Sequence, residues 1–333
     1  MRIGIMSFAH LHAEAYIQNL RSAPGVEMIG FSDVDADRGK HFADVFGVTW
    51  FPTHEALIAE KPDGVVVCSE NARRRELVEM ATRAGVHVLC EKPIEVTLQD
   101  AEAMRDVCES HNVRFMTAFP VRFAPSVRQV KAALERGDLG RIYGINGINH
   151  SEIPRAQRAW FAQKALAGGG AVMDHTVHLV DVMRWFFGAE IVEVYAEVDN
   201  LFYPGEVDVD TAGIVTVTFE NGIFASIDCS WSRPTTYPRW GHFKMDIVGE
   251  NGFVVLDSMA EQFTVYSRHL PRNPTWVNWG ANANQAMVDE FVTSIREDRQ
   301  PGVTWRDGYE ALRVALACYE SAATGQPVRL ERS

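Results

Sequence analysis

The sequence predicts an α/β N-terminal domain with a doubly wound parallel sheet, Rossmann-like, followed by an α+β C-terminal domain with a mostly antiparallel open sheet. Three observations carry this prediction. Strand-like apolar runs alternate with helical segments from Arg2 to Phe119, the pattern of a parallel sheet. Asp63–Cys68 (Asp-Gly-Val-Val-Val-Cys) is a continuous β-branched run, as expected of a strand covered on both faces. From Ile191 the chain becomes β-rich, and Asn221-Gly222 and Asn251-Gly252 are hairpin turn signals. A length of 333 residues suits about two domains. They are placed at 1–121 and 122–333, with the last helices returning to brace the first domain.

Taken in order, Arg2–Ser7 reads as a strand and Leu11–Ser22 as a helix. Val26–Ser32 is a second strand, closed by Asp33. Asp35–Phe46 is helical and ends at Gly47, a residue suited to the left-handed position after a helix. Thr53–Glu60 is a short helix. Beyond Asp63–Cys68, the helix Ala72–Ala84 stops at Gly85. Val86–Cys90 is a buried strand that ends on Glu91-Lys92-Pro93, because Pro93 cannot donate to a sheet ladder. The helix Leu98–His111 and the strand Val113–Phe119 complete the domain.

Glu91 and Lys92 therefore stand at the carboxyl edge of the sheet, where open α/β sheets bind ligands. Lys92 is either an ammonium tuned for acid/base work or a surface lysine paired with Glu91, and this stretch alone leaves both open. At the three glycine positions of a dinucleotide fingerprint the chain has Ser7, Ala9 and His12, a weak signal. Ser7 and Ala9 are small enough to permit approach of a pyrophosphate, and the helix N-terminus remains available to an anion. His10 and His12 read as phosphate donors or as loop caps. Asp33 lies about 20 residues beyond the turn, where an acid binds the ribose 2′-hydroxyl of NAD. The bland alternative is a cap on the next helix. Val34, in place of Arg or Ser, favours NAD over NADP.

In the second domain, Ala124–Glu135 reads as a linker helix and Ile142–Glu152 as a strand. Arg155–Ala167 is a loop or irregular helix. Gly168-Gly169-Gly170 lets backbone approach a ligand closely. It leads into the helix Ala171–Phe187, which Gly188 stops. Asp174, His178 and Asp181 share one face of that helix at i, i+4 and i+7. That polar stripe is either a functional face or one that is solvated and salt-bridged. Two ligands on one helix do not make a zinc site, so no metal is expected. His175, off the stripe, reads as structural. Strands follow at Val192–Phe202, Gly213–Phe219, Ile223–Trp231, Phe243–Gly249, Phe253–Ser258 and Phe263–Ser267, then helices at Ala286–Ile295 and Asp307–Ala323.

The net charge of −12, with no long basic run, argues against nucleic acid or an anionic membrane surface as partner. No window reaches ~18 consecutive apolar residues, so no membrane span is expected. The N-terminal apolar stretch is too short for a signal peptide. The five cysteines, Cys68, Cys90, Cys108, Cys229 and Cys318, are scattered, which argues against a disulfide framework and leaves the cytoplasm as the default location.

Together these residues resemble the glucose–fructose oxidoreductase, inositol dehydrogenase and rhizopine-catabolism family (Gfo/Idh/MocA). The resemblance rests on Glu91-Lys92-Pro93, on Arg122-Phe123-Ala124-Pro125, and on Gly168–Gly170 with Asp174, His178 and Asp181. Glu290-Phe291, Gly302–Gly308 and Tyr319-Glu320-Ser321 extend it to the end of the chain. It implies hydride transfer between a secondary carbinol of a sugar, polyol or cyclitol and NAD, with Lys92, Asp174 and His178 as the catalytic trio. It also implies a cofactor site of Ser7, Phe8, Ala9, His10, Asp33, Ser69, Asn71, Glu91 and Lys92. Substrate would be held by Arg122, Trp160, Asp174 and His178, with Asp181 behind them. A homodimer or homotetramer through the C-terminal sheet is a further implication. The chain departs from the family pattern at the fingerprint glycines and at Ser69-Glu70-Asn71, which Arg73-Arg74-Arg75 follows. Two rivals stand beside this reading: glycoside cleavage with a retained NAD, and a non-catalytic binding or regulatory protein.

Overall fold

The computed structural model describes residues 1–270, 272 and 274–331. The first sheet has six parallel strands: β1 (Arg2–Met6), β2 (Glu27–Ser32), β3 (Trp50–Phe51), β4 (Gly64–Val67), β5 (His87–Cys90) and β6 (Phe115–Thr117). Their spatial order is β3-β2-β1-β4-β5-β6. The chain reverses direction across the sheet between β1 and β4, the place where such sheets open a ligand crevice. Helices α1 (Ala13–Ser22), α2 (Ala36–Phe46), α3 (His54–Ala59), α4 (Arg74–Arg83) and α5 (Leu98–Ser110) connect the strands. Val65, Val66 and Val67 are wholly buried, as their unbroken β-branched run requires.

After α6 (Pro125–Glu135) comes β7 (Ile142–Ser151), then α7 (Lys164–Ala167) and α8 (Ala171–Phe187). Next are β8 (Ile191–Asp199), β9 (Ala212–Phe219), β10 (Phe224–Ser230), β11 (Gly241–Gly249) and β12 (Gly252–Asp257). The hairpin β13 (Gln262–Val265) and β14 (Thr275–Asn278), the helices α9 (Ala283–Arg296) and α10 (Trp305–Thr324), and β15 (Val328–Arg329) complete the chain. The second sheet has the order β12-β11-β7-β10-β9-β8-β15. All its pairs are antiparallel except β7 with β10. One face is covered by α8, which also packs on α10; α9 reaches back to α1, and α10 to α5 and β6.

Several boundaries differ from the sequence expectation. The first helix begins at Ala13, because Leu11 and His12 form a turn closed by Ala13 N–H on His10 O. The strand expected to run to Phe202 ends at Asp199, where Asn200 turns the chain by donating to Tyr203 O and Val207 O. The last expected strand is one arm of a separate two-stranded hairpin whose second arm, β14, had no clear periodicity. β3 and β15 were not anticipated, since two residues carry no period. All five cysteines are buried and free.

Candidate active site

β5 ends at Cys90, and Glu91, Lys92 and Pro93 follow it beyond the carboxyl edge of the sheet. Asp174 and His178 lie one turn apart on α8, so their side chains share a face. The N-terminus of α8 is held firmly. Asp210 accepts from Gly170 N (2.7 Å) and Val172 N (2.8 Å), and Tyr319 Oη donates to Asp210 Oδ1 at 2.8 Å. Gly170 is required there, because a Cβ would fall 1.8 Å from the carbonyl oxygen of Asp210.

An ion pair at the site joins the first domain to α8. Lys92 Nζ lies 2.5 Å from Asp174 Oδ1 and 3.2 Å from Asp174 O. Asp174 Oδ2 receives Trp231 Nε1 at 3.3 Å and lies 3.3 Å from His175 Nε2. Burial is the largest influence on Asp174 and opposes its ionisation, but the effects that favour the carboxylate, led by the Lys92 ammonium, together hold it far below its usual range. His178 is driven well below the ordinary histidine value by burial and then by the Lys92 charge. His175 is lowered to about 4, chiefly by burial. Lys92, Asp174, His175 and His178 all line one cavity of about 240 Å³, with His10 and His12 on one side and Trp240 and His242 among its remaining walls. The arrangement sets an ammonium, its counter-ion and a neutral imidazole around one small polar space, which suits proton transfer at a hydroxyl.

The turn after β1 was expected to grip a dinucleotide. Ser7 adopts φ +68°, the left-handed conformation that glycine supplies without strain. Most of the turn's amides are engaged internally. Ser7 N bonds Ser32 O, Phe8 N bonds Asp33 Oδ2, Ala9 N bonds Ser7 Oγ, His10 N bonds Cys68 O and His12 N bonds His10 Nδ1. The Phe8 ring lies in the core, 4.4 Å from the Phe31 ring centroid. Asp33 is enclosed and its carboxylate takes four donors: Phe8 N, Asp35 N, and Nε and one terminal nitrogen of Arg38. Arg38 therefore stands at the solvent side of this acid. Ser69 Oγ donates to Glu70 O, and Asn71 Nδ2 to Ala167 O. Glu91 is wholly buried and accepts from Tyr16 Oη (2.6 Å), His12 Nδ1 (2.9 Å) and Lys92 N (3.1 Å).

Two residues expected to hold substrate are placed elsewhere. Arg122 is buried away from the cavity, its guanidinium paired with Asp181 (2.6 and 2.8 Å) and Asp307 (2.7 Å). It joins the linker to α8 and α10, and Asp181 is its counter-ion. Trp160 packs on the turn after β1 and donates Nε1 to Ala9 O at 2.9 Å, while its stacked neighbour Phe161 faces the cavity. Sequence reasoning read His175 as structural and did not assign Trp231 or Tyr16 to the site. Trp231 and Tyr16 reach the site from distant strand and helix positions, and His175 sits off the stripe used to choose candidates.

Comparison with known proteins agrees with this architecture. Residues 2–119 match the oxidoreductase family model with an NAD-binding Rossmann fold, and residues 127–255 match the GFO/IDH/MocA C-terminal domain. The chain belongs to the Gfo/Idh/MocA oxidoreductase family. It is 26% identical to a myo-inositol 2-dehydrogenase of Thermotoga maritima, covering 99% of each chain. It is 27% identical to a D-xylose 1-dehydrogenase (NADP+) of Haloferax volcanii, over 99% of this chain and 100% of that one. Its fold matches scyllo-inositol dehydrogenase from Lactobacillus casei, solved with NAD(H) and scyllo-inositol, at a TM-score of 0.83 and 23% identity over 99% and 98% of the two chains. In this Gfo/Idh/MocA chain, two buried atoms along the carboxyl edge, His10 Nε2 and Asn71 Oδ1, and one on α8, His178 Nδ1, have no hydrogen-bond partner among the described residues. Buried polar atoms are rarely left unpaired, so the edge fits a polar group such as a nicotinamide dinucleotide.

Proposed function

We propose that this chain is an NAD(P)-dependent dehydrogenase moving hydride between a secondary carbinol of a sugar, polyol or cyclitol and the cofactor. The observation that carries this is the convergence of Lys92 from one domain with Asp174 and His178 from the other on a single cavity. A nicotinamide ring, when bound, supplies the hydride acceptor or donor. Ser7, Phe8, Ala9, His10, Asp33, Ser69, Asn71, Glu91 and Lys92 remain the residues assigned to hold it, with the Phe8 contribution limited to its backbone. His178, kept neutral by burial, takes the hydroxyl proton. Lys92, paired with Asp174, stabilises the oxygen as negative charge develops on it. Asp174 orients Lys92, and Trp231 and His175 orient Asp174. No metal is assigned a part in this chemistry.

NAD is the preferred cofactor. Arg38 faces Asp33, Asp35 and Glu70, and Arg73 lies 3.8 Å from Glu70. Three carboxylates against two guanidinium groups leave this end of the site negative, which disfavours a 2′-phosphate. The outer face of the second sheet exposes Ile214, Phe224, Val248, Phe253 and Val255. Such a patch supports self-association into a homodimer or homotetramer. A panel of cyclitols, aldoses and polyols tested for NAD+ and NADP+ reduction decides the reading. Turnover with at least one, lost in Lys92→Ala and His178→Ala, is the expected result. No NADH binding in a fluorescence titration of the wild-type protein would overturn it.

A further inference from the structure

The catalytic cavity has a neighbour that the mechanism leaves unused. Its volume is about 440 Å³, against about 240 Å³ for the catalytic one. The larger cavity falls within the ~300–1,000 Å³ usual for small-molecule sites, and the catalytic one alone falls short of it. The two share Pro120, Val121, Met259 and Asn284, which form the rim between them. All four are half-buried, so solvent reaches the rim and it is not a sealed wall. The other walls come from the start of α6, the loop between β12 and β13, and the segment from β14 into α9. None of the residues assigned to the dinucleotide or to proton transfer lines this second cavity.

Its chemistry is specific. Trp279 is 60% exposed. Three residues earlier, Trp276 is held by Tyr237, with ring centroids 5.6 Å apart, and by the Arg239 guanidinium 5.2 Å from its centroid. Trp279 makes no such ring or cation contact among the described residues. Its backbone is fixed, because its N–H donates to Glu261 O at 3.0 Å. The result is a mounted indole with a flat apolar face left open. On the rim, Asn284 donates its backbone N–H to Asn282 Oδ1 at 3.0 Å. Its side-chain amide has no partner among the described residues and offers both a donor and an acceptor. Glu261 is the one charged residue among those that line the cavity. It repels a phosphate or a carboxylate and accepts from hydroxyls. An indole face, an amide and a carboxylate together match a neutral sugar ring, which has an apolar C–H face and a rim of hydroxyls. A purely apolar ligand would use the indole and gain nothing from the polar pair.

We propose that this cavity is a second sugar subsite, in which a neutral glycosyl ring of the substrate lies on Trp279 while the ring being oxidised sits beside Lys92 and His178. The proposal rests on the dehydrogenase reading above and narrows its substrate class from free sugars to two-ring glycosides. The Asn284 amide, lining both cavities, is placed to meet the hydroxyls on either side of the glycosidic linkage.

The test uses the full-length protein as its NADH complex. Calorimetry measures the binding of glucose, galactose and myo-inositol beside the two-ring ligands cellobiose, maltose, lactose and galactinol, a galactosyl myo-inositol. At least one two-ring ligand is expected to bind about tenfold more tightly than its one-ring parents. Trp279→Ala should abolish that advantage and leave one-ring affinity within about twofold, and Trp279→Phe, which keeps a flat face, should retain most of it. A wild type that binds no two-ring ligand more tightly than its parents overturns the subsite. So does an advantage that survives Trp279→Ala, or a loss that falls equally on one-ring and two-ring ligands. A Trp279→Ala protein that changes mass by light scattering with the two-ring advantage intact makes the indole a subunit contact, and the subsite falls. Failure of the wild type to bind NADH would instead sink the dehydrogenase reading itself.

Discussion

Lys92, two residues beyond the last strand residue Cys90 in the first domain, places its ammonium 2.5 Å from Asp174 on a helix of the second. The pair is buried and sits on the wall of the cavity, so one contact both joins the domains and charges the site. Lys92→Ala should lower turnover about 10²–10⁴-fold. It also strands a buried carboxylate, a loss of ~3–5 kcal/mol. Steady-state kinetics read beside a thermal melt separate the two effects. Lys92→Ala activity within a few-fold of wild type would remove the lysine from the chemistry.

His178 should show no titration near the ordinary histidine value, because burial and the Lys92 charge both disfavour its protonated form. The kcat–pH profile is therefore expected to lack an acidic limb centred near ~6.5. A limb there that disappears in His178→Ala would show an exposed, ordinary imidazole instead.

His175 and His178 should each cost stability on mild acidification. His175 is lowered to about 4, chiefly by burial, and His178 moves in the same direction. Below ~6.5 the unfolded chain takes up protons that the folded chain refuses. The stabilisation is thus complete above that pH and lost as pH falls toward about 4. For His175 the loss is at most ~3 kcal/mol. Urea unfolding at a series of pH values should show it, and His175→Asn should flatten the slope.

Arg122 should matter to folding rather than to substrate. Arg122→Lys gives up the bidentate geometry on Asp181 and a contact with Asp307. Melting temperature should drop by several degrees, with substrate KM within twofold of wild type. A tenfold change in KM at unchanged stability would return Arg122 to the substrate site.

The outer sheet face should hold subunits together. Phe253, 73% exposed, and Val255 stand on its edge strand. Phe253→Glu should shift the mass measured by light scattering toward a monomer. A wild-type protein already monomeric at micromolar concentration would refute this surface as an interface.

Much of this architecture was legible in sequence because its signals are local. The Val-Val-Val run and the stripe on α8 each state a period that tertiary structure did not override, and β5 ends at Cys90, close before Pro93. What was missed depends on partners far away in the chain. Arg122 looked like a substrate ligand because its counter-ions lie 59 and 185 residues away. The turn after β1 looked like an open anion cradle because nothing in Ser7–His12 announces that Asp33 and Cys68 will take its amides. Trp160 was expected beside substrate, and its indole donates to Ala9, 151 residues back in the chain.

That last contact has a bearing on protein engineering. Trp160 and Ala9 come from different halves of the polypeptide, and Asn71 with Ala167 makes a second such tie. A chimaera that takes its nucleotide half from one relative and its sugar half from another would exchange one partner of each tie. The segment from Ile153 to Ala167 should therefore travel with whichever half supplies residues 7–12 and 69–71, or each transplanted half will meet a stranger at the seam.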